Sequence, residues 1–286
     1  MSLPDKIKQT LSTTAQSAVS VVKLALQSRP SKFPGRSDNR KEVIVMGNGP
    51  SLRDTIDRLL THASAKPDLM AVNFAANTPE FFQLKPRWYV MADPHFFSDS
   101  GDENVIKLHK NLASVDWEMT LFVPRGCRKQ LPGWIRKAVE VSEFNFVGIE
   151  GARWLKHKVY ASALGMPRPR NVLIPSIMIA MWLGYKDIYI AGADHSWMKT
   201  LAVNDRNEVI SIQPHFYKDN KAELDRGATV YRNVRLHQVV ESFAVAFRSY
   251  WDIREFADSR NINIYNSTPG SFIDAFERRD LPISPQ

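Results

Sequence analysis

The chain has 286 residues, 44% of them hydrophobic, and a formal charge of +8, enough apolar side chain for one large α/β core with appendages. A single cysteine, Cys127, excludes an internal disulfide framework and a cysteine-rich zinc site, and fits a reducing cytoplasm. Eight basic residues within 1–41 (Lys6, Lys8, Lys23, Arg29, Lys32, Arg36, Arg40, Lys41) face only Asp5 and Asp38, so the body carries just +2; with no helix-turn-helix, zinc-finger or aromatic single-strand signature, nucleic-acid binding is not expected.

In chain order, Ile7, Leu11, Ala15, Ala18, Val22 and Leu26 recur at spacings of three and four and predict an amphipathic helix bordered by Lys6, Lys8 and Lys23. Its basic character suits an anionic membrane surface. No apolar run is long enough to span a bilayer, and the stretch, broken by Gln16 and Ser20, makes a poor secretory signal. Residues 1–41 thus read as a basic segment and linker ahead of a catalytic body, 42–286, on the inner face of a membrane.

From residue 42 strand and helix patterns alternate. Strands are predicted at Val43 to Met46, Leu69 to Asn73, Trp88 to Ala92, Thr120 to Val123, Phe144 to Val147, Ile188 to Ala191 and Ile262 to Tyr265, with a final helix after Ser271. The alternation predicts a Rossmann-like, doubly wound, mostly parallel sheet. Ligands of such sheets bind at the carboxyl ends of the strands.

The most informative junction is Glu42 to Asp54, where an apolar run breaks at Gly47-Asn48-Gly49-Pro50-Ser51 and restarts as a helix. Glycines permit a sharp turn and close approach of a ligand, Pro50 pre-sets a helical φ, and Ser51 with Asp54 resembles a capping pair. The helix start is therefore expected to face an anion. Leu52 stands where a dinucleotide fingerprint needs its third glycine, and no Gly-Lys-Ser/Thr follows, so both standard nucleotide motifs are rejected.

Other strand ends deliver Asn73, Asp93-Pro94-His95 and Gly192-Ala193-Asp194-His195, which together predict one nucleotide-type site, with Asn73 and Asp93 binding the nucleotide and the Asp194 carboxylate and His195 imidazole as catalytic groups for proton work. A helix over Pro175 to Gly184 is expected to present Ser176 to it. Asp93 with His95, or Asp194 with His195, offers ligands for Mg²⁺ should the chemistry need it. Residues 195–235 form an irregular stretch that reads as a lid. It contains Gln213-Pro-His-Phe-Tyr-Lys-Asp219, and a long helix follows from about Arg232 to Arg260, carrying His237. Ser267-Thr-Pro-Gly-Ser271 is expected to add a further wall to the pocket.

The run Val43-Ile-Val-Met-Gly-Asn-Gly-Pro-Ser-Leu52, with Val72-Asn-Phe74, Asp93-Pro94 and Leu183-Gly-Tyr-Lys-Asp-Ile-Tyr-Ile-Ala-Gly-Ala-Asp194, resembles bacterial lipooligosaccharide sialyltransferases of glycosyltransferase family 42. It is similar as well to the 6-hydroxymethylpterin diphosphokinase-like group associated with surface-glycan and flagellin glycosylation. The resemblance covers about residues 42–280. It implies that Gly47, Asn48, Gly49, Ser51 and Asn73 bind the CMP part of a CMP-linked sugar. In the sialyltransferases Asn-Pro stands at Asp93-Pro94, and a catalytic tyrosine stands where this chain has Ser196.

The resemblance also implies a lid histidine as general base, for which His215 beside Tyr217 is favoured over His237. A neutral-range imidazole can take the acceptor hydroxyl's proton, and a nearby phenol or ammonium can stabilise the departing phosphate. The expected activity is transfer of a sialic-acid-like sugar from a CMP donor to a glycan or lipid-linked acceptor without a cofactor. Pyrophosphoryl transfer from ATP with Mg²⁺, using Asp93 and Asp194, is the alternative, and a non-catalytic glycan-assembly protein is a second one. A homo-oligomer is compatible with the sequence.

Overall fold

A computed structural model describes residues 3–35, 40–61, 67–98, 101–211 and 233–283. The first helix, α1 (Leu3–Gln27), precedes an alternating body: β1 (Glu42–Met46), α2 (Leu52–Thr61), β2 (Asp68–Val72), α3 (Pro79–Leu84), β3 (Trp88–Val90), α4 (Glu103–Ala113), β4 (Thr120–Pro124), α5 (Ile135–Ala138) and β5 (Glu140–Phe144). Next come α6 (Arg153–Ala161), α7 (Leu173–Trp182), β6 (Asp187–Ala191), a small antiparallel pair β7 (Ala202–Val203) and β8 (Val209–Ile210), α8 (Leu236–Asp258), β9 (Asn263–Asn266) and β10 (Glu277–Arg278).

Eight strands form one parallel sheet in the order β10-β9-β6-β1-β2-β3-β4-β5. The chain runs outward from β1 to one edge, then returns to lay β6 against the other side of β1. Its topological switch therefore lies between β1 and β6, where open α/β sheets leave a crevice at their carboxyl ends.

The two sheet faces follow from side-chain alternation. Val43, Val45, Met70, Val72, Trp88 and Phe122 face a core completed by α7 and α8. Ile44, Met46, Leu69, Ala71, Tyr89 and Leu121 face the core covered by α2, α3 and α4. With both faces covered, the central strands read as continuous apolar runs. Helix α7 has buried residues all round, as a central helix between sheet and α8 requires.

The structure corrects two of the expected elements. The fifth strand lies earlier, at Glu140–Phe144, because its edge position leaves Glu140 exposed and Glu143 half-buried, weakening the apolar signal. The final helix is absent: residues 271–283 are irregular apart from β10, which pairs with β9. The lid stretch opens with a short 3₁₀ turn (Ser196–Thr200) and the β7–β8 pair, while residues 212–232 lie outside the described residues.

Under the amino ends of the central strands sits a polar cluster. The buried Asp68 carboxylate accepts from Arg40 at 2.7 Å, from Arg87 at 3.3 Å and from the Tyr185 hydroxyl, which itself accepts from Trp88 Nε1 at 2.7 Å. Removing the anion takes away the carboxylate that the guanidinium of Arg87 and the Tyr185 hydroxyl both donate to. We predict that Asp68→Ala lowers the unfolding free energy by about 3 kcal/mol in denaturant titration, because breaking a buried pair leaves an uncompensated charge.

Candidate functional site

The loops after β1 and β6 are zipped together. Gly47 N–H donates to Ala191 O and Gly49 N–H to Gly192 O, each at 2.8 Å. A Cβ on Gly47 would lie 2.4 Å from Gly192 O, and one on Gly49 would lie 2.0 Å from Asp194 Oδ2. Both glycines are thus required by contact between the two loops, a constraint the sequence reading did not foresee. Asp194 Oδ2 accepts from the Ser51 hydroxyl at 2.8 Å and from the Ser51 N–H at 3.4 Å. The start of α2 is closed by the protein's own carboxylate, where the sequence had suggested an external anion.

Ser267 to Ser271 buttresses the same junction instead of walling the pocket. Thr268 Oγ1 accepts from Ala193 N–H at 3.0 Å, Ser271 Oγ donates to Ala193 O at 2.6 Å, and Phe272 N–H donates to Asp194 O at 2.9 Å.

Beside this junction lies a cavity of about 470 Å³. Of the predicted residues, Gly47, Asn48, Gly49, Pro50, Asn73, Asp93, Asp194 and His195 all line it. Asn48 Nδ2 donates to Val72 O at 3.3 Å, yet its Oδ1 is buried and, among the described residues, without a partner, as is Asn73 Oδ1. Asn73 sits at φ 50°, in the left-handed region that asparagine tolerates. The backbone there is fixed by Tyr89, whose hydroxyl donates to Asn73 O and accepts from Ala76 N–H at 3.0 Å. Burial pushes the Tyr89 phenol well above its usual range, so this tie stays protonated.

Other expectations fail on geometry. Ser176 is fully buried in α7 and donates back to Val172 O at 2.7 Å, away from the cavity. Asp93 Oδ1 accepts from His95 N–H at 2.9 Å, while the His95 ring turns to Asp102 at 2.8 Å, so Asp93 and His95 do not converge on a metal position. Among the described residues no group of three or more His, Cys, Asp or Glu side chains is arranged to hold an ion. His237 is exposed on α8 and lies outside the cavity lining. His215 and Tyr217 lie outside the described residues.

The cavity also has a wall that sequence reasoning missed. Asn171 Oδ1 accepts from the N–H groups of Leu173 and Ile174 at the start of α7, at 3.0 and 3.3 Å, and from the Tyr250 hydroxyl at 3.0 Å. The same hydroxyl lies 2.6 Å from His195 Nε2. His195 is buried at φ 49° and stacks on Trp197 with ring centroids 4.2 Å apart. Burial pushes its pKa down to about 3, so the ring is neutral and acts as part of the wall, not as a proton carrier near neutral pH. Arg170 lines the mouth of the cavity, and its exposed guanidinium has no ion-pair partner among the described residues. Asn171 ahead of an apolar run was a legible helix-start signal; Tyr250, among many aromatics of a long helix, carried none.

No family profile and no curated protein sequence matches the chain. Among solved structures, it is similar to the MAf glycosyltransferase from Magnetospirillum magneticum at 11% identity and a TM-score of 0.48, over 92% of this chain and 37% of that one. It is similar also to an alpha-2,3-sialyltransferase from Campylobacter jejuni, solved in apo form, at 15% identity and a TM-score of 0.44, over 90% of this chain and 87% of that one. The chain thus spans little more than a third of the length of the first.

Two predictions follow the geometry. Gly49→Ala must push the two loops apart and lowers the thermal midpoint by several degrees, about 1–3 kcal/mol of strain and lost bonds. For His195 the folded pKa is depressed below the unfolded value of about 6.5, so below that pH the unfolded chain binds a proton that the native one refuses. Its contribution is lost as pH falls from about 6.5 towards 3, by up to about 1.4 kcal/mol per pH unit. Denaturant titrations across this range are expected to show a shallower loss in His195→Gln than in the parent.

Proposed function

We propose that the chain is a glycosyltransferase that takes a sugar from a nucleotide donor, with CMP-linked acidic sugars the favoured class. The observation that carries this reading is that Asn48 and Asn73 both line the cavity, while the buried Oδ1 atom of each is without a hydrogen-bond partner among the described residues. A phosphate has no proton to offer them near neutral pH beyond its own hydroxyl, whereas a nucleoside presents an exocyclic amine and ribose hydroxyls. The closing of the α2 start by Asp194 disfavours a phosphate there. Arg170, at the cavity mouth, suits the donor's phosphodiester or a sugar carboxylate. The motifs' resemblance to family 42 enzymes points the same way.

In this reading the acceptor oxygen bonds to the anomeric carbon while the bond from that carbon to the phosphate oxygen breaks, and its electron pair leaves with the nucleotide. The acceptor hydroxyl's proton goes to His215, an assignment that rests on the resemblance, and stabilisation of charge on the departing phosphate is assigned to the Tyr217 phenol. His195, Tyr250 and Asn171 act as positioning residues by holding the wall. The acceptor is a surface glycan or its lipid-linked precursor.

Thermal unfolding with CMP, UDP, GDP and ATP, each with and without Mg²⁺, tests the reading. CMP at about 100 times its dissociation constant is expected to add about 2.7 kcal/mol without metal. Asn73→Ala is expected to weaken CMP about tenfold, the worth of one good hydrogen bond, and Arg170→Ala to weaken it in a salt-dependent way. His215→Ala is expected to keep CMP binding and lower kcat by about 10²–10⁴. Stabilisation by ATP and Mg²⁺ alone would overturn this in favour of pyrophosphoryl transfer, and indifference to every nucleotide would favour the non-catalytic alternative.

A further inference from the structure

Helix α1 is docked with its polar side inward. Ser17 Oγ accepts from Ala152 N–H at 2.9 Å, and Ser20 Oγ donates to Glu150 O and accepts from Glu150 N–H, both at 2.9 Å. Ser28 Oγ donates to Leu164 O at 2.6 Å, Arg29 N–H donates to Asn145 Oδ1 at 3.1 Å, and Leu24 packs on the core. The approach is close, for a Cβ on Gly151 would lie 2.3 Å from Ser17 Oγ. The helix is thus held in one orientation by bonds to the body.

That orientation turns the apolar stripe away from the body, the reverse of the usual arrangement for a surface helix. Leu11 is 66% exposed, Val22 57% and Leu26 70%; Ala15 and Ala18 between them are exposed too, and Val19 and Val21 flank the stripe. Residues 10–35 contain no acidic side chain, while Lys23, Arg29 and Lys32 follow one another along them. The neighbouring helix α6 begins just after the loop that holds Ser17; it too lacks acidic residues, exposes Lys158, and presents Trp154 at 69% exposure.

We propose that this face of α1, with Trp154 beside it, rests on an anionic lipid surface, the apolar stripe entering the headgroup boundary and the cations facing the lipid phosphates. Charge complementarity selects this occupant over a second copy. Two copies would bring the same net charge of +6 from residues 1–41 together, whereas anionic headgroups neutralise it. Tryptophan, apolar in body with one polar N–H, suits the interface. The loop that anchors α1 continues from Phe146, which lines the cavity. The proposal goes beyond the donor reading and does not depend on it.

The test is co-sedimentation of the full chain with vesicles of phosphatidylcholine, alone or mixed with phosphatidylglycerol, beside sedimentation equilibrium without lipid. The chain is expected to pellet with the mixed vesicles, to stay in solution with the neutral ones, and to be released by high salt. Val22→Glu with Leu26→Glu is expected to cut the bound fraction about tenfold or more. The thermal midpoint should not move, since both side chains point to solvent; circular dichroism confirms the fold. Failure of the parent to pellet, equal pelleting by the double variant, or a lipid-free dimer that the double variant dissociates would each overturn the proposal.

Discussion

The structure depends on the contact between the loops that leave β1 and β6. These strands are neighbours in the sheet although nearly 150 residues separate them in sequence. Past their last paired residues the ladder continues through Gly47 and Gly49 and ends on the Ser51 to Asp194 bonds. One side of the cavity is positioned from there: α2 by its carboxylate cap, Asn48 by the turn, and His195 by the residue before it. Glycine is needed because the partner is backbone, and a carbonyl oxygen cannot move aside as a long side chain would. The Thr268 and Ser271 bonds brace the loop from the far side, so three sequence-distant turns share one rigid junction.

The sheet was legible because buried parallel strands are continuous apolar runs, and six of the seven expected strands coincide with observed ones within two residues at either end. The exception, β5, is an edge strand whose charged residues break the run, so the more apolar segment Phe144 to Val147 drew the assignment. The glycine turn was legible as a turn but not as to its purpose. A glycine that admits a ligand and a glycine that admits another loop leave the same trace in a sequence. Ser176 was misjudged for a related reason: a hydroxyl in an apolar helix can satisfy itself on the carbonyl one turn back, and α7 is buried on every side.

The wall formed by Asn171, His195 and Tyr250 was out of reach for a different reason. Its bonds join residues 24 to 79 positions apart, and each partner taken singly has an ordinary explanation as helix cap, loop histidine or packed aromatic. Helix α1 shows the limit of amphipathic patterning itself. Periodicity reveals that a helix has two faces, while the face that docks is the one whose serines are small enough for close approach and bond to backbone groups at Glu150 and Ala152.

The polarity of the cavity narrows what can bind there. Asp194, the strongest acceptor at the switch point, is occupied by Ser51, and the Asn171 amide oxygen is occupied three times over. Asn48 Oδ1 and Asn73 Oδ1, on residues that line the cavity, are buried and without a partner among the described residues. An unpaired buried carbonyl costs about 1–3 kcal/mol, and the surrounding fold maintains two of them, one on a backbone held at positive φ. A ligand that donates to both relieves that cost on arrival, and one lacking the donors leaves it in place. Discrimination of this kind exceeds what an apolar pocket achieves by shape, because the wrong ligand forfeits bonds as well as contact.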